Sequence, residues 1–209
     1  MEDSKNNLLI KLYNNTYNFF YKIINNIKID KTENLKITKK NINNIENSTS
    51  LMTVWLLNVK RLYNLTKKYI DLKDYNFLDV GCGNGIPLIY AYKKFNFLTY
   101  QGFDLVPQYV RITKKNIYYS IKNIKNKYIN VFVADASKIV LNKNKKFFIF
   151  MFNPFNEIIM EKFLKNNYIN FKKNKSIIAY ANYNELEVIK KYAYKIKIIK
   201  KYKLASCFF

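Results

Sequence analysis

All four glycines of this chain fall between positions 81 and 102, and three of them alternate in Asp79-Val80-Gly81-Cys82-Gly83-Asn84-Gly85, directly behind the apolar pair Phe77-Leu78. An average chain carries about 7% glycine. Here it has been reduced to Gly81, Gly83, Gly85 and Gly102, so the positions that keep it are those where no other residue serves. A strand that ends in alternating glycines and runs into a helix makes a tight turn with its backbone uncovered. A nucleoside-bearing cofactor can then sit against bare peptide groups at a helix N-terminus. This segment reads as a cofactor site on a strand–turn–helix unit.

The spacing discriminates among cofactors. A dinucleotide fingerprint starting at Gly81 or Gly83 needs a third glycine where the chain has Ile86 or Leu88, and the Gly-Lys-Ser/Thr of a phosphate loop is also missing. What stands instead is acidic-x-Gly-x-Gly-x-Gly, followed by Asp104 at the end of the next predicted strand. The second strand of such a sheet delivers a terminal carboxylate to ribose hydroxyls, which is the task expected of Asp104. Asp79, closing the first strand, favours a ligand carrying an ammonium or sulfonium. Asp135, in Ala134-Asp135-Ala136 after the third strand, is expected to accept from the exocyclic amine of adenine. Together these residues describe a pocket for S-adenosylmethionine.

Beyond Asp74 short apolar runs alternate with amphipathic stretches, the pattern of strand–helix repeats around a parallel sheet. Strands are predicted near 76–80, 99–104, 129–133, 146–152, 175–181, 194–200 and 204–208, with helices near 86–95, 107–123, 156–167 and 184–192. Only Lys201 to Lys203 separate the last two strands, too few for a parallel crossover, so they should pair antiparallel. The expected fold class is α/β, a Rossmann-like seven-stranded sheet with its last strand antiparallel and an N-terminal helical appendage. Within that appendage Leu9, Leu12, Phe20, Ile24 and Ile27 fall on one face of a helix over 8–27, diluted by Asn14-Asn15 and Asn25-Asn26. A polar linker over 30–50 should end in a helix N-cap at Ser50, before a helix from about Leu51 to Ile70 with Trp55, Leu56, Val59, Leu62 and Tyr63 inward. The division expected is an appendage over 1–50 and a catalytic domain over 51–209.

Composition narrows the chemistry further. There is no histidine, and the two cysteines are Cys82 and Cys207, which excludes zinc-finger spacing, an imidazole base and a Cys–His pair. Cys82 reads as a small packing residue. The formal net charge of +23 suggests non-specific nucleic-acid contact through lysines. Only Arg61 and Arg111 are arginine, however, and the surplus of lysine, asparagine, tyrosine and isoleucine matches an AT-rich coding sequence. Planar, bidentate recognition of phosphate or guanine prefers arginine, so dense sequence-specific contacts are not expected. No stretch approaches the roughly 18 apolar residues of a membrane span, and the first residues lack a signal-peptide build. A cytoplasmic protein with no membrane partner is the expectation.

The segment Tyr75 to Gly85, with Gly102-Phe103-Asp104 and Ala134-Asp135-Ala136, resembles class I S-adenosylmethionine-dependent methyltransferases over residues 70–209. Phe152-Asn153-Pro154-Phe155, ending the fourth predicted strand, is similar to a little-characterised bacterial branch with an Asn-Pro-Phe signature, distantly related to non-SET histone-lysine methyltransferases. The resemblance implies cofactor residues at Asp79, Gly81, Gly83, Gly85, Asp104 and Asp135, and names no substrate. Methyl transfer is an in-line displacement at an already activated methyl, so a protein has mainly to position the acceptor and exclude water. Asn153 is expected to accept a hydrogen bond from an acceptor amine, Pro154 to fix the chain direction, and Phe155 to stack on a flat acceptor or cover the cofactor. Adenine-amino methyltransferases carry two prolines in the related motif where this chain has one, so the expected acceptor is a nitrogen on a protein or an RNA. An RNA methyltransferase with a basic surface and a silent cofactor-binding module are the alternatives.

Overall fold

The structure, a computed structural model, describes residues 2–27, 45–48, 54–121 and 129–209. Its strands are β1 (Asn76–Val80), β2 (Tyr100–Asp104), β3 (Ile129–Val133), β4 (Phe147–Phe152), β5 (Ile177–Ala181), β6 (Lys195–Ile199) and β7 (Leu204–Phe208). They form one seven-stranded sheet in the order β3-β2-β1-β4-β5-β7-β6. β1 to β5 are parallel, and β7 inserts antiparallel between β5 and β6. This is the Rossmann-like sheet with reversed last strand that the sequence pattern implies. Helices are α1 (Glu2–Ile24), α2 (Leu56–Lys67), α3 (Ile86–Lys94), α4 (Pro107–Ser120), α5 (Glu157–Asn174) and α6 (Leu186–Lys190).

The central strands are apolar on both faces because both faces are covered. In β4, Phe148 and Phe150 join a core shared with α1 to α4, while Phe147, Ile149 and Met151 point the other way into a core shared with α5 and α6. That alternation is the strand's own period of two. Each fully buried phenylalanine contributes roughly 2–3 kcal/mol of transfer free energy, so these side chains set which way every strand faces.

α1 binds the domain through polar and aromatic residues, among them Asn14 from the pairs that dilute its apolar pattern. Asn14 and Asn18 are buried and Tyr21 is 7% exposed, whereas Leu9, Leu12, Phe20 and Ile24 point outward at 55–77% exposure. Of the expected apolar face only Ile27 is buried. Asn18 explains the inversion. Its Nδ2 donates to the Val54 carbonyl (2.7 Å) and its Oδ1 accepts from the Leu56 amide (2.9 Å), capping α2 from another helix. Trp55, at the N-cap position, supplies no side-chain cap and instead donates from Nε1 to Asn15 Oδ1. α2 thus starts later than the pattern implies, and Ser50 with most of the 30–50 linker lies outside the described residues. Leu56, Val59 and Leu62 are buried as expected.

α5 runs past its expected end at 167 because asparagines on one side of it have partners. Asn166, Asn167, Asn170 and Asn174 donate side-chain amides to the carbonyls of Ser137, Ile139, Leu141, Asn142 and Lys143. They stitch the segment leading into β4 onto the helix. α6 is shorter than the 184–192 expected.

Candidate functional site

The ends of β1, β2 and β4 meet where the sheet order turns back on itself, the place an open α/β sheet offers a ligand. Gly81, Gly83 and Gly85 all have positive φ, at 70°, 52° and 75°, conformations that cost an L-residue roughly 1–2 kcal/mol. Two of them are also held by close approach. A Cβ on Gly81 would stand 2.7 Å from Pro154 Cβ, and one on Gly85 would overlap the Thr113 methyl. The turn is braced from α4, where Thr113 Oγ1 donates to the Gly83 carbonyl (2.7 Å) and Asn116 Nδ2 to the Asn84 carbonyl (2.9 Å). Thr113 and Asn116 went unnoticed in the sequence, since their spacing from the glycines carries no local signal.

Two carboxylates lie under this turn. Asp104 is 8% exposed; one oxygen accepts from the Gly83 amide and the other from the Val106 amide, each at 2.9 Å. Burial raises its pKa, while the amides of Val106, Gly83 and Leu105 hold it down. Asp79 is 2% exposed, and its Oδ2 has no hydrogen-bond partner. Burial, then the neighbouring Asp104 charge, push its carboxyl up to about 8 against the pull of the Leu88 amide in the first turn of α3. Neither carboxylate belongs to an ion pair among the described residues. A buried, unpaired acidic pair beside a helix N-terminus is costly unless something cationic completes it. Tyr109, in the first turn of α4, has its phenol raised by burial and by Asp104. Gln108 beside it keeps a buried Oε1 without a partner.

Asn153-Pro154-Phe155 follows β4 and lies against the glycine turn through Pro154. Asn153 is 5% exposed with φ 44°, a left-handed backbone that asparagine tolerates better than most residues. Its Oδ1 accepts from the Tyr180 hydroxyl at 3.0 Å. Tyr180, on β5, is a third residue without a signal in the sequence, because its contact crosses between neighbouring strands. Phe155 is placed differently from the expectation. Its ring is 6% exposed and packs in the α5 core with Phe163 at a centroid distance of 6.3 Å, so it supports the loop rather than lining its surface. Residues 45–48 run beside this loop. Ser48 forms an antiparallel bridge with Phe155, Asn47 accepts from the Asn156 amide, and Asn156 caps α5.

Asp135 sits in the turn after β3, where its Oδ1 accepts from the Ser137 amide at 2.8 Å. Cys82 is buried with its thiol pushed well up by burial, the behaviour of a packing residue. No group of three or more metal-ligating side chains occurs among the described residues.

No protein-family model matches the chain, and no curated protein matches it in sequence. Solved structures do. A precorrin-6y C5,15-methyltransferase from Geobacter metallireducens GS-15 aligns with TM-score 0.54 at 16% identity, over 77% of this chain and 91% of that one. The methyltransferase domain of a bacterial CtHen1 aligns with TM-score 0.53 at 16% identity, over 73% of this chain and 97% of the other. A protein of the NADB-Rossmann superfamily from Streptococcus agalactiae aligns with TM-score 0.51 at 15% identity, over 77% and 68%. At these identities the likeness is one of fold: the seven-stranded Rossmann-like sheet of class I methyltransferases.

Proposed function

We propose that the chain is an S-adenosylmethionine-dependent methyltransferase that modifies a nitrogen on a protein or RNA acceptor. The observation that carries this reading is the Asp79 carboxylate, whose Oδ2 has no hydrogen-bond partner, buried beside Asp104 beneath a turn of three left-handed glycines. A methyl donor with a positive sulfur and an α-ammonium offers the cation that such a pair lacks. The donor supplies a methyl already activated for displacement. Gly81, Gly83 and Gly85 give its methionine portion bare backbone, Asp104 takes the ribose hydroxyls, and Asp135 takes the adenine amine. The methyltransferases among the similar folds support the same reading.

Asn153 positions the acceptor nitrogen, and Tyr180 holds the direction of its amide. The chain has no histidine, so the acceptor must attack as a neutral nitrogen that loses its proton to solvent or to a carboxylate. Calorimetry with the methyl donor and with its demethylated product tests the cofactor half; absence of heat with both removes the reading. A tritiated donor incubated with protein and cell lysate tests the acceptor half. Label should enter the protein or the nucleic-acid fraction, and label confined to small molecules would remove the macromolecular acceptor while leaving the cofactor assignment intact.

A further inference from the structure

The outward face of α1 is an extended apolar surface that the two cores leave uncovered. Leu8, Leu9, Leu12, Phe19, Phe20 and Ile23 are 55–67% exposed, and at 100° per residue they share one arc of about 120°. Between Leu8 and Ile23, Thr16 is the only polar residue inside the arc and no charge interrupts it, while toward the helix start Lys5 and Glu2 fall at the same angles. The surface continues beyond the helix. A cleft of about 360 Å³ lined by Lys22, Ile23, Asn26, Ile27 and Tyr119 joins the end of α1 to α4, where Tyr118 is 75% exposed.

Charge decides what fits there. α1 to α4 cover one face of the sheet, and from residue 7 to 27 and throughout α2, α3 and α4 there is no aspartate or glutamate. The same helix layer carries exposed lysines, Lys11 on α1, Lys60 on α2, Lys94 on α3 and Lys114 on α4. The α-helical glutamates outside α1, Glu157, Glu161 and Glu187, lie on α5 and α6, across the sheet. A second copy is a poor occupant. Parallel pairing of two α1 helices sets Lys11 against Lys11 with no carboxylate from 7 to 27 to compensate, and antiparallel pairing leaves the first-turn acids Glu2 and Asp3 as the only counter-charges on the helix. A layer of apolar chains beneath a negative surface satisfies both features.

We propose that α1 docks the protein on the surface of an anionic lipid bilayer, its Leu/Phe/Ile arc among the upper acyl chains and the neighbouring lysines over the headgroups. No helix among the described residues is long and apolar enough to cross a membrane, and a helix lying in the interface does not need to be. This proposal departs from the sequence expectation of no membrane partner, which rested on the lack of a span and of a signal-peptide build. The proposal is independent of the methyltransferase reading.

The test is flotation of the full chain with phosphatidylcholine vesicles, with and without roughly 30% phosphatidylglycerol. The chain should float with the anionic vesicles and more weakly with the neutral ones. A triple variant, Leu12→Ser, Phe20→Ser and Ile23→Ser, keeps the net charge and alters only exposed positions. It should melt like the parent and bind anionic vesicles at least about tenfold more weakly. Three results would overturn the proposal: no flotation with either vesicle, flotation of the serine variant equal to the parent, or a dimer in sedimentation that the serine variant converts to monomer while neither protein floats.

Discussion

Asp79 is the residue through which pH should reach the site. Its carboxyl is raised from 3.8 to about 8, so across that window the native chain holds a proton that the unfolded chain has lost. Stability of the ligand-free protein should therefore decline as pH rises toward 8 and then level off. A cationic ligand prefers the ionised carboxylate. Its binding should release a proton below pH 8 and tighten as pH rises, a trend calorimetry between pH 6 and 9 would read and Asp79→Asn should flatten. Gly81→Ala puts a methyl 2.7 Å from Pro154 on a backbone with φ 70°, so a loss of roughly 2–3 kcal/mol is expected in denaturant unfolding. Tyr180→Phe keeps the buried ring and removes the hydroxyl that donates to Asn153 and accepts from the Glu185 amide. Turnover should fall about fivefold with cofactor affinity unchanged, because one directing hydrogen bond is worth about 1 kcal/mol; an unchanged kcat would deny Tyr180 a positioning role.

At the scale of elements, what the sequence announces and what it hides have separate causes. β1, β3 and β7 begin and end where their apolar runs do, and the glycine turn with Asp79 and Asp104 is legible because backbone conformation and chain order alone bring these residues together. Thr113, Asn116 and Tyr180 are not legible, since their partners lie 27 to 32 positions away and no periodicity links them. α1 misleads for a physical reason: burial there is settled by hydrogen bonds, so the apolar side of the pattern is not the inward one. Asn18→Ala should cost about 1–2 kcal/mol, because it strips α2 of its cap and leaves the Val54 carbonyl without its side-chain donor. Thermal unfolding followed at Trp55, which is bonded to α1 through Asn15, would read the loss. At the sheet edge, Lys195 and Lys197 of β6 lie over the Tyr69 ring at 4.3 and 5.3 Å, and charges on an edge strand discourage pairing with another chain. That gives part of the C-terminal lysine run a structural duty.

Across the whole molecule the +23 charge meets little opposition. The ion pairs among the described residues, Lys73–Asp71, Lys165–Glu161 and Lys190–Glu187, are on the surface and worth little each. Self-repulsion should consequently dominate the electrostatics of folding, and the melting temperature should rise as sodium chloride goes from about 0.05 to 0.5 M, with the Debye length shrinking accordingly. A melting temperature indifferent to salt would mean that the lysines are too far apart to repel. The seam of amides along α5 has a practical consequence for anyone re-engineering this chain. Asparagine ranks below alanine as a helix former, and a designer trimming what looks like genomic surplus would exchange Asn167, Asn170 and Asn174 first. Each exchange would improve the helix in isolation and unpick its attachment to the approach to β4. The asparagines that look surplus are the mortar here, and a cleaned-up sequence would make a looser wall.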